Sequence, residues 1–184
     1  MTLPTDLTLR AAESGDVHGI AALVAACDDS YREWTPDGWT PPPPGRELDR
    51  WRGRITDGSW WTRVAVEPGG RIVGLVCFTQ AVTQHSVGEI RLRQTTHGIE
   101  PIPHRAHVSA VFSHPDRWRE GIATGLLGHA EDAMREAGYR EVQLWTPREA
   151  PARRFYEATG WRHDGREQWL ADVGLPIVAY VKAL

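Results

Sequence analysis

The sequence has few cysteines and no long apolar run, and these two shortages exclude whole classes of protein. Only 2 of its 184 residues are cysteines, too few for a disulfide framework, and both Cys27 and Cys77 lie in apolar runs. We therefore expect two reduced, buried thiols in a cytoplasmic protein. No stretch approaches about 18 uninterrupted apolar residues, and the first residues lack the basic start and apolar core of a secretory signal. The sequence thus predicts neither a membrane span nor export.

Excess positive charge and clustered metal ligands are also missing. The formal net charge is -3, which provides no basic surface for a nucleic-acid backbone. The eight histidines lack the spacing of a zinc site, and we interpret the closest pair, His104 and His107, as a coincidence beside a predicted strand. With 41% hydrophobic and 24% charged residues, the composition is that of a folded globular protein. The length predicts one domain with a full core, covering residues 1–184.

The N-terminal half is predicted to combine two helices with a hairpin. The predicted elements are a strand at 7–10, a helix at 17–27, a helix at 47–55 and a hairpin with strands at 60–66 and 71–79. Four consecutive prolines at 41–44 predict a stiff, non-helical loop. Residues 80–104 are polar and poorly periodic, which indicates a functional loop or a hidden strand, with 89–93 as the candidate.

The C-terminal half alternates strands and helices more clearly. The predicted elements are a strand at 106–113, a helix at 121–137, a strand at 141–146, a helix at 150–159 and closing strands at 168–171 and 177–182. Gly138 and Gly160 are placed to end the two helices. The pattern predicts an α/β fold with one mixed sheet.

The most informative stretch runs from Val111 to Leu127, where a strand enters a turn that opens onto a helix. The first turn of a helix has backbone N–H groups without partners and carries partial positive charge. Gly121, Ala123 and Gly125 are small, so a phosphate could approach this backbone closely. The alternative is that the small residues only let the helix pack on the sheet. The motif G-x-G-x-x-G is absent, and no Walker A lysine follows.

Two blocks here resemble the GNAT superfamily of acetyl-CoA-dependent N-acyltransferases. The first is Gly121-Ile-Ala123 followed by Leu126-Leu127, and the second runs from Ala152 to Trp161 as ARRFYEATGW. Trp118 replaces the usual Arg or Gln of the first block, and Glu149 stands where the family commonly has Asn. The resemblance implies a mixed, mostly antiparallel central sheet flanked by helices, with the strands that end at Ser113 and Thr146 splayed at the cofactor site.

The resemblance also implies how acetyl-CoA, the acyl donor, is held. The thioester arm would lie between the strands that end at Ser113 and Thr146, with backbone groups of Val111 and Ser113 paired to the pantetheine. The backbone amides from Trp118 to Thr124 would hold the pyrophosphate. The implied cofactor-binding residues are Val111, Phe112, Ser113, Trp118, Arg119, Glu120, Gly121, Ile122, Ala123 and Thr124. Arg117, Arg119, Arg153 and Arg154 are nearby cations for the remaining phosphates.

Acyl transfer to an amine requires a base, oxyanion donors and an acid. An alkylamine with a pKa near 10.4 is mostly protonated at pH 7, which costs roughly 4 to 5 kcal/mol. The candidate bases are His107, whose side-chain type titrates near neutral pH, and a water held by Ser109. The family pattern implies the Val111 backbone N–H for the oxyanion and the Tyr156 phenol as the acid that protonates the leaving thiolate.

The acceptor is less defined by the sequence. Trp34, Trp39, Trp60 and Trp61 are expected to line its pocket, with residues 80–104 as a lid, which favours a primary amine of a small molecule or peptide. A monomer or homodimer is expected, without nucleic acid, membrane or metal. The alternatives are a transferase for a longer acyl-CoA, a non-catalytic acyl-CoA-binding or sensing module, and a nucleotide-dependent oxidoreductase.

Overall fold

A computed structural model describes residues 3–83, 100–171 and 173–184 of the chain. The elements are β1 (Thr8–Ala11), α1 (Val17–Ser30), α2 (Pro44–Thr56), β2 (Trp61–Val66), β3 (Ile72–Val82), β4 (Pro101–Ser113), α3 (Ile122–Glu136), β5 (Glu141–Pro147), α4 (Ala152–Ala158), β6 (Arg162–Leu170) and β7 (Leu175–Ala183). Within the described ranges, seven strands form a sheet in the order β1-β2-β3-β4-β5-β7-β6. The β1–β2, β2–β3, β5–β7 and β6–β7 pairs are antiparallel, whereas β4–β5 is parallel. The predicted α/β fold with a mixed, mostly antiparallel sheet is confirmed.

Two compact units make up the chain, and the first comprises Met1–Thr79 and Ser109–Ala133. One stripe of α1 and the inner residues of β2 and β3 form its apolar core. The buried members are Val17, Ile20, Leu23, Val24, Cys27, Trp51, Val64, Val66, Ile72, Leu75, Cys77 and Ala110. Both cysteines are free and buried, as the sequence predicts. The stripe recurs every three or four residues in α1, which is why this helix buries one face on the strands.

A glycine sets how closely α3 packs on this first unit. A Cβ added to Gly74 of β3 would lie 2.8 Å from Ile122 Cγ2 and 2.9 Å from Leu126 Cδ1. Only a residue without a side chain therefore fits beneath the first two turns of α3. Because interiors are close-packed, this contact fixes the depth at which α3 begins.

The second unit comprises Gln80–Val108 and Met134–Leu184. Its apolar residues come mainly from β5 and β7, where Leu144 pairs with Tyr180 and Val142 pairs with Lys182. Gly138 and Gly160 end α3 and α4 with φ of 86° and 88°, as the sequence predicts. That the two units behave as one domain stays a prediction.

The ends of several elements in the structure differ from the predicted ones. β3 extends to Val82 and β4 begins at Pro101, so both ends of the supposed loop 80–104 are strand. The candidate strand at 89–93 lies outside the described residues. Pro44 is the first residue of α2, because proline is well accommodated where the helical N–H has no partner, so the prediction of a wholly non-helical proline run is wrong at its last residue.

Two features that bear on function are membrane-spanning helices and clusters of metal ligands. No helix among the described residues is long and apolar enough to cross a membrane. No group of three or more His, Cys, Asp or Glu side chains in the same ranges could hold a metal ion.

Candidate active site

The turn between β4 and α3 presents a row of backbone donors. Within the described part of the chain, no hydrogen bond uses the N–H groups of Arg119 through Thr124, and the first helical bond runs from the Gly125 N–H to the Gly121 carbonyl at 2.9 Å. The Trp118 N–H instead donates to the Pro115 carbonyl at 3.2 Å. The row of donors expected from the sequence therefore begins one residue later, at Arg119.

Backbone conformation exposes these donors. Arg119 and Gly121 have φ of 68° and 84°, in the left-handed region, on either side of Glu120. Turns that alternate hands in this way direct successive N–H groups to the same side and bind anions. No atom of the described residues lies within 4 Å of a Cβ built on Gly121, so glycine is favoured there by its positive φ rather than by lack of space.

The other small residue of the turn, Gly125, has a different explanation. A Cβ there would lie 2.9 Å from Leu3 Cγ and 3.0 Å from the Leu3 backbone nitrogen. Gly125 is therefore small because the N-terminal segment packs against it. At this position the packing alternative applies, and at Gly121 it does not.

A single guanidinium anchors the turn. Arg117 Nε donates to Glu120 at 2.6 Å, Nη1 donates to Glu67 at 2.6 Å and Nη2 donates to Asp6 at 2.9 Å. These three carboxylates raise the pKa of Arg117 above its usual value. Arg117 is consequently occupied by protein carboxylates. Arg119 is exposed and has no ion pair among the described residues, so it is the cation of this turn that remains available.

The end of β4 carries the second part of the predicted cofactor site. The parallel register with β5 covers only Arg105 to Val108, and the strand continues to Ser113. Val111, Phe112 and Ser113 are half-buried. The Ser113 carbonyl accepts from the Trp118 indole Nε1 at 2.8 Å and from the Cys27 thiol at 3.4 Å. Since a carbonyl oxygen has two lone pairs, this one is already satisfied.

Tyr156, the predicted acid, lies in the second unit on α4. Its ring is buried against Phe155, Trp161 and Tyr180, with ring centroids 5.4, 6.0 and 6.0 Å away. No hydrogen bond among the described residues engages its hydroxyl. The neighbouring Tyr180 hydroxyl accepts from Arg153 Nε at 2.9 Å and donates to Glu157 at 2.7 Å. The two tyrosines therefore differ, since the hydroxyl of Tyr180 is held by protein groups.

The protonation of Tyr156 follows from its burial. Desolvation penalises the phenolate, so the pKa of Tyr156 is raised well above the usual value near 10. The side chain is consequently a neutral hydrogen-bond donor throughout the physiological range.

His107, one of the predicted bases, is also in the second unit. Only 1% of its surface is exposed, and its register partner on β5 is Gln143, which is fully buried. The Gln143 side-chain oxygen accepts from Arg166 Nη2 at 3.1 Å. The burial of His107 argues against direct contact between its imidazole and an incoming amine.

Sequence reasoning missed Arg54, a buried charged residue on α2. Its guanidinium lies 4.9 Å from the Trp51 ring centroid and 4.5 Å from that of Trp60, and Nη2 donates to Ser109 Oγ at 2.6 Å. Burial lowers the pKa of Arg54 to about 9. The available signal was spacing, because Glu47, Trp51 and Arg54 follow at intervals of four and three and so share the buried face of the helix.

The four tryptophans expected in the acceptor pocket fall into separate groups. Trp34 and Trp39 pack on Tyr31, with ring centroids 4.7 and 6.0 Å away. Trp61 stacks on Phe78 at 4.8 Å, and Trp60 covers Arg54. Of these four, Trp60 is the one that contacts a buried charge.

Two carboxylates, Glu47 on α2 and Asp28 on α1, interact through their charges. Glu47 is 6% exposed and accepts from Trp51 Nε1 at 3.0 Å and from Arg50 Nη1 at 3.1 Å. Asp28 on α1 is partly buried, and burial together with the Glu47 charge raises its pKa to about 7.

Comparison with known proteins explains the arrangement. The family model described as "Acetyltransferase (GNAT) family" matches residues 24–161, three-quarters of the chain, including both sequence blocks. No curated relative matches the sequence. Similar solved structures include an acetyltransferase from Thermus thermophilus, with TM-score 0.69, 18% identity and coverage of 100% of both chains.

Two further structures share the fold at low identity. The PaiA N-acetyltransferase from Thermoplasma acidophilum, in complex with coenzyme A, has TM-score 0.67 and 12% identity, covering 97% of this chain and 99% of its own. The ribosomal-protein-S18-alanine N-acetyltransferase from Escherichia coli has TM-score 0.64 and 12% identity, covering 96% and 93%. Because the family model spans most of the sequence, this protein belongs to the acetyltransferase (GNAT) family of enzymes, which use acetyl-CoA to acylate amines.

Proposed function

We propose that the protein transfers an acetyl group from acetyl-CoA to a primary amine of a small molecule or peptide, by direct attack of the amine on the thioester. The observation that carries the proposal is the row of backbone N–H groups from Arg119 to Thr124, at the start of α3, that have no hydrogen-bond partner in the described part of the chain. Such donors suit a pyrophosphate, whose negative charge the positive end of the helix also favours.

Most of the charged side chains around the turn are paired with one another. The guanidinium of Arg117 is shared among the carboxylates of Asp6, Glu67 and Glu120 and offsets only part of their charge, and Asp116 is paired with Arg71 at 2.9 Å. Arg119, exposed and without an ion pair in the described chain, is left to contact a phosphate. The residues present therefore fit coenzyme A.

We place the thioester arm beside the part of β4 that follows Val108. Among the described residues the register of β4 with β5 runs from Arg105 to Val108, so the main-chain groups that follow Val108 on that edge are suited to pair with an extended pantetheine. The Ser113 carbonyl is already satisfied, which leaves Val111 as the main candidate for pairing. The Val111 N–H is also the proposed donor to the oxygen of the reacting carbonyl.

Proton transfer is assigned to two groups. A water held by Ser109 is favoured over His107 for taking the proton of the amine, because Ser109 is half-buried and His107 exposes only 1% of its surface. Tyr156 donates to the leaving sulfur. Since its raised pKa exceeds that of an ordinary thiol, near 8.5, the phenol first stabilises the thiolate through a hydrogen bond, and complete transfer costs about 1.4 kcal/mol per pKa unit of difference.

The proposal is tested by comparing Tyr156→Phe with Tyr180→Phe. Acetyl-CoA discharge against a panel of amines, followed as free thiol, gives kcat, and thermal shift gives coenzyme A binding. We expect Tyr156→Phe to lower kcat by about 10²-fold or more with coenzyme A affinity unchanged. Tyr180→Phe should lower Tm, because it breaks the bonds to Arg153 and Glu157, and leave kcat within about threefold of wild type.

The same measurements separate the alternatives. Stabilisation by NAD in place of coenzyme A would favour an oxidoreductase, and a ligand at one hundred times its Kd should stabilise by about 2.7 kcal/mol. Coenzyme A binding without turnover of any amine would favour a sensing module. Faster turnover with a longer acyl-CoA than with acetyl-CoA would show that the protein transfers a longer acyl group.

A further inference from the structure

Arg54 is a buried cation whose hydrogen-bonding capacity is largely unused. The residue is 6% exposed, and Nη1 is buried with no hydrogen-bond partner among the described residues. Nη2 carries two N–H groups, of which Ser109 Oγ receives one at 2.6 Å. Three in-plane N–H groups at the end of the guanidinium therefore remain for another acceptor.

The described residues do not supply that acceptor. No carboxylate in those ranges lies within ion-pair distance of Arg54, and the nearby Glu47 is already bonded to Trp51 and Arg50. A buried, unsatisfied donor costs about 1 to 3 kcal/mol, and more when it is charged. A buried group left in this state calls for an explanation, and an acceptor supplied by a bound ligand is one that the position of Arg54 allows.

The two tryptophans restrict how a ligand approaches. The guanidinium carbon of Arg54 lies over the rings of Trp51 and Trp60, 4.9 and 4.5 Å from their centroids, and these ring contacts leave its in-plane N–H groups for an acceptor. The end of a guanidinium presents two parallel N–H groups, a geometry that matches the two oxygens of a carboxylate. A single neutral carbonyl would satisfy only one of them.

Ser109, the hydrogen-bond partner of Arg54, connects the guanidinium to the part of β4 where we place the reaction. Ser109 precedes Val111 by two residues on the same face of the strand, which is about 7 Å along the chain. An acceptor molecule with its amine near Val111 and an anionic group a few bonds away would reach Arg54. We propose that Arg54 binds a carboxylate of the acceptor, so that the preferred substrates are amino acids or other amines that also carry a carboxylate. This inference rests on the proposed acetyl transfer.

The test compares matched acceptors that differ only in the carboxylate. Phenylalanine is paired with phenethylamine, tryptophan with tryptamine, and methionine with its decarboxylated amine, and kcat/KM is measured by free-thiol release. We expect wild type to prefer the carboxylate-bearing member of at least one pair by tenfold or more. In Arg54→Gln this preference should fall to about twofold or less.

Two variants and one control keep the test independent of folding. Arg54→Lys keeps a positive charge but lacks the two parallel N–H groups of the guanidinium, so it should retain only part of the preference for the carboxylate. Ser109→Ala removes the oxygen that positions Nη2 and should reduce the preference less than Arg54→Gln does. Arg52→Gln on the exposed side of the same helix should change nothing. The preference is a ratio within one variant, so partial unfolding lowers both rates and leaves it unaltered.

A binding measurement completes the experiment. The acetylated products, N-acetylphenylalanine and N-acetylphenethylamine, are titrated in the presence of coenzyme A by thermal shift. Stabilisation by the acid alone, lost in Arg54→Gln, supports the assignment even when turnover is slow. Equal rates and equal stabilisation for both members of every pair in wild type would overturn it, as would a preference that survives in Arg54→Gln. In those cases acetyl transfer to the amines still stands, whereas failure of coenzyme A to bind would refute the proposed function itself.

Discussion

Replacing Asp28 by asparagine should stabilise the protein, and the gain should depend on pH. The pKa of Asp28 rises from 3.8 to about 7 because the side chain is partly buried and faces the negative charge of Glu47. An asparagine keeps the size of the side chain and removes the charge. The variant therefore isolates the cost of holding this carboxylate in its ionised form.

The sign follows from proton linkage. The folded state binds the Asp28 proton more tightly than the unfolded state, so between pH 4 and 7 the folded protein holds the extra proton and stability falls as pH rises. The difference of about 3 pKa units corresponds to at most about 4 kcal/mol at 1.4 kcal/mol per unit. Because Asp28 is partly exposed, we discount this value by half, to about 2 kcal/mol.

Thermal unfolding at pH 4, 6 and 8 measures the effect. The stability difference between Asp28→Asn and wild type should grow by about 2 kcal/mol from pH 4 to pH 8, equivalent to a Tm gain of about 4 to 8 °C. The control is Asp29→Asn, one residue along the same helix, where the side chain is 71% exposed and its charge is the smallest of the effects that raise the pKa of Asp28, so a much smaller pH-dependent gain is expected. A difference that stays constant with pH, or an equal one for Asp29→Asn, would refute the reasoning.

Two further predictions concern the support of the anion-binding turn. Gly74→Ala should destabilise the protein by about 2 kcal/mol, measured by denaturant unfolding, because the new methyl overlaps Ile122 and Leu126; unchanged stability would mean that α3 shifts without cost. Arg117→Gln should lower Tm in a salt-dependent manner by releasing three carboxylates, whereas Arg119→Gln should leave Tm unchanged and weaken coenzyme A binding, measured by calorimetry. The reverse result for the two arginines would show that Arg117, not Arg119, contacts the phosphates.

The order of elements was predictable because local signals agree with the fold. Three signals each act over a few residues: the apolar stripe of α1, the turn residues Pro68, Gly69 and Gly70 between the two hairpin strands, and the stop at Gly138. Each corresponds to a feature of the structure. Element ends were less predictable. β4 begins at Pro101, in a segment whose residues do not alternate in polarity, so its strand character depends on pairing rather than on pattern.

The residues of the candidate site also differ in how far they could be predicted from local sequence. Gly121 and Tyr156 became candidates through short motifs, which are contiguous in the chain. Arg54 was missed because its importance depends on Trp60 and Ser109, which are separated from it in sequence and come together only by folding. For Gly125 the sequence left phosphate access and close packing as alternatives, and the contact with Leu3 that favours packing is equally non-local.

The three hydrogen bonds from Arg117 to carboxylates have a consequence for how the enzyme acquires its ligand site during folding. Its partners Asp6 and Glu67 stand 111 and 50 residues earlier in the chain, ahead of β1 and at the end of β2. Contacts across such separations form late, after the intervening strands have assembled. A polypeptide fragment that starts at β4 would contain the whole turn sequence and yet lack two of the three groups that hold its shape, so competence to bind coenzyme A belongs to the complete fold rather than to the motif.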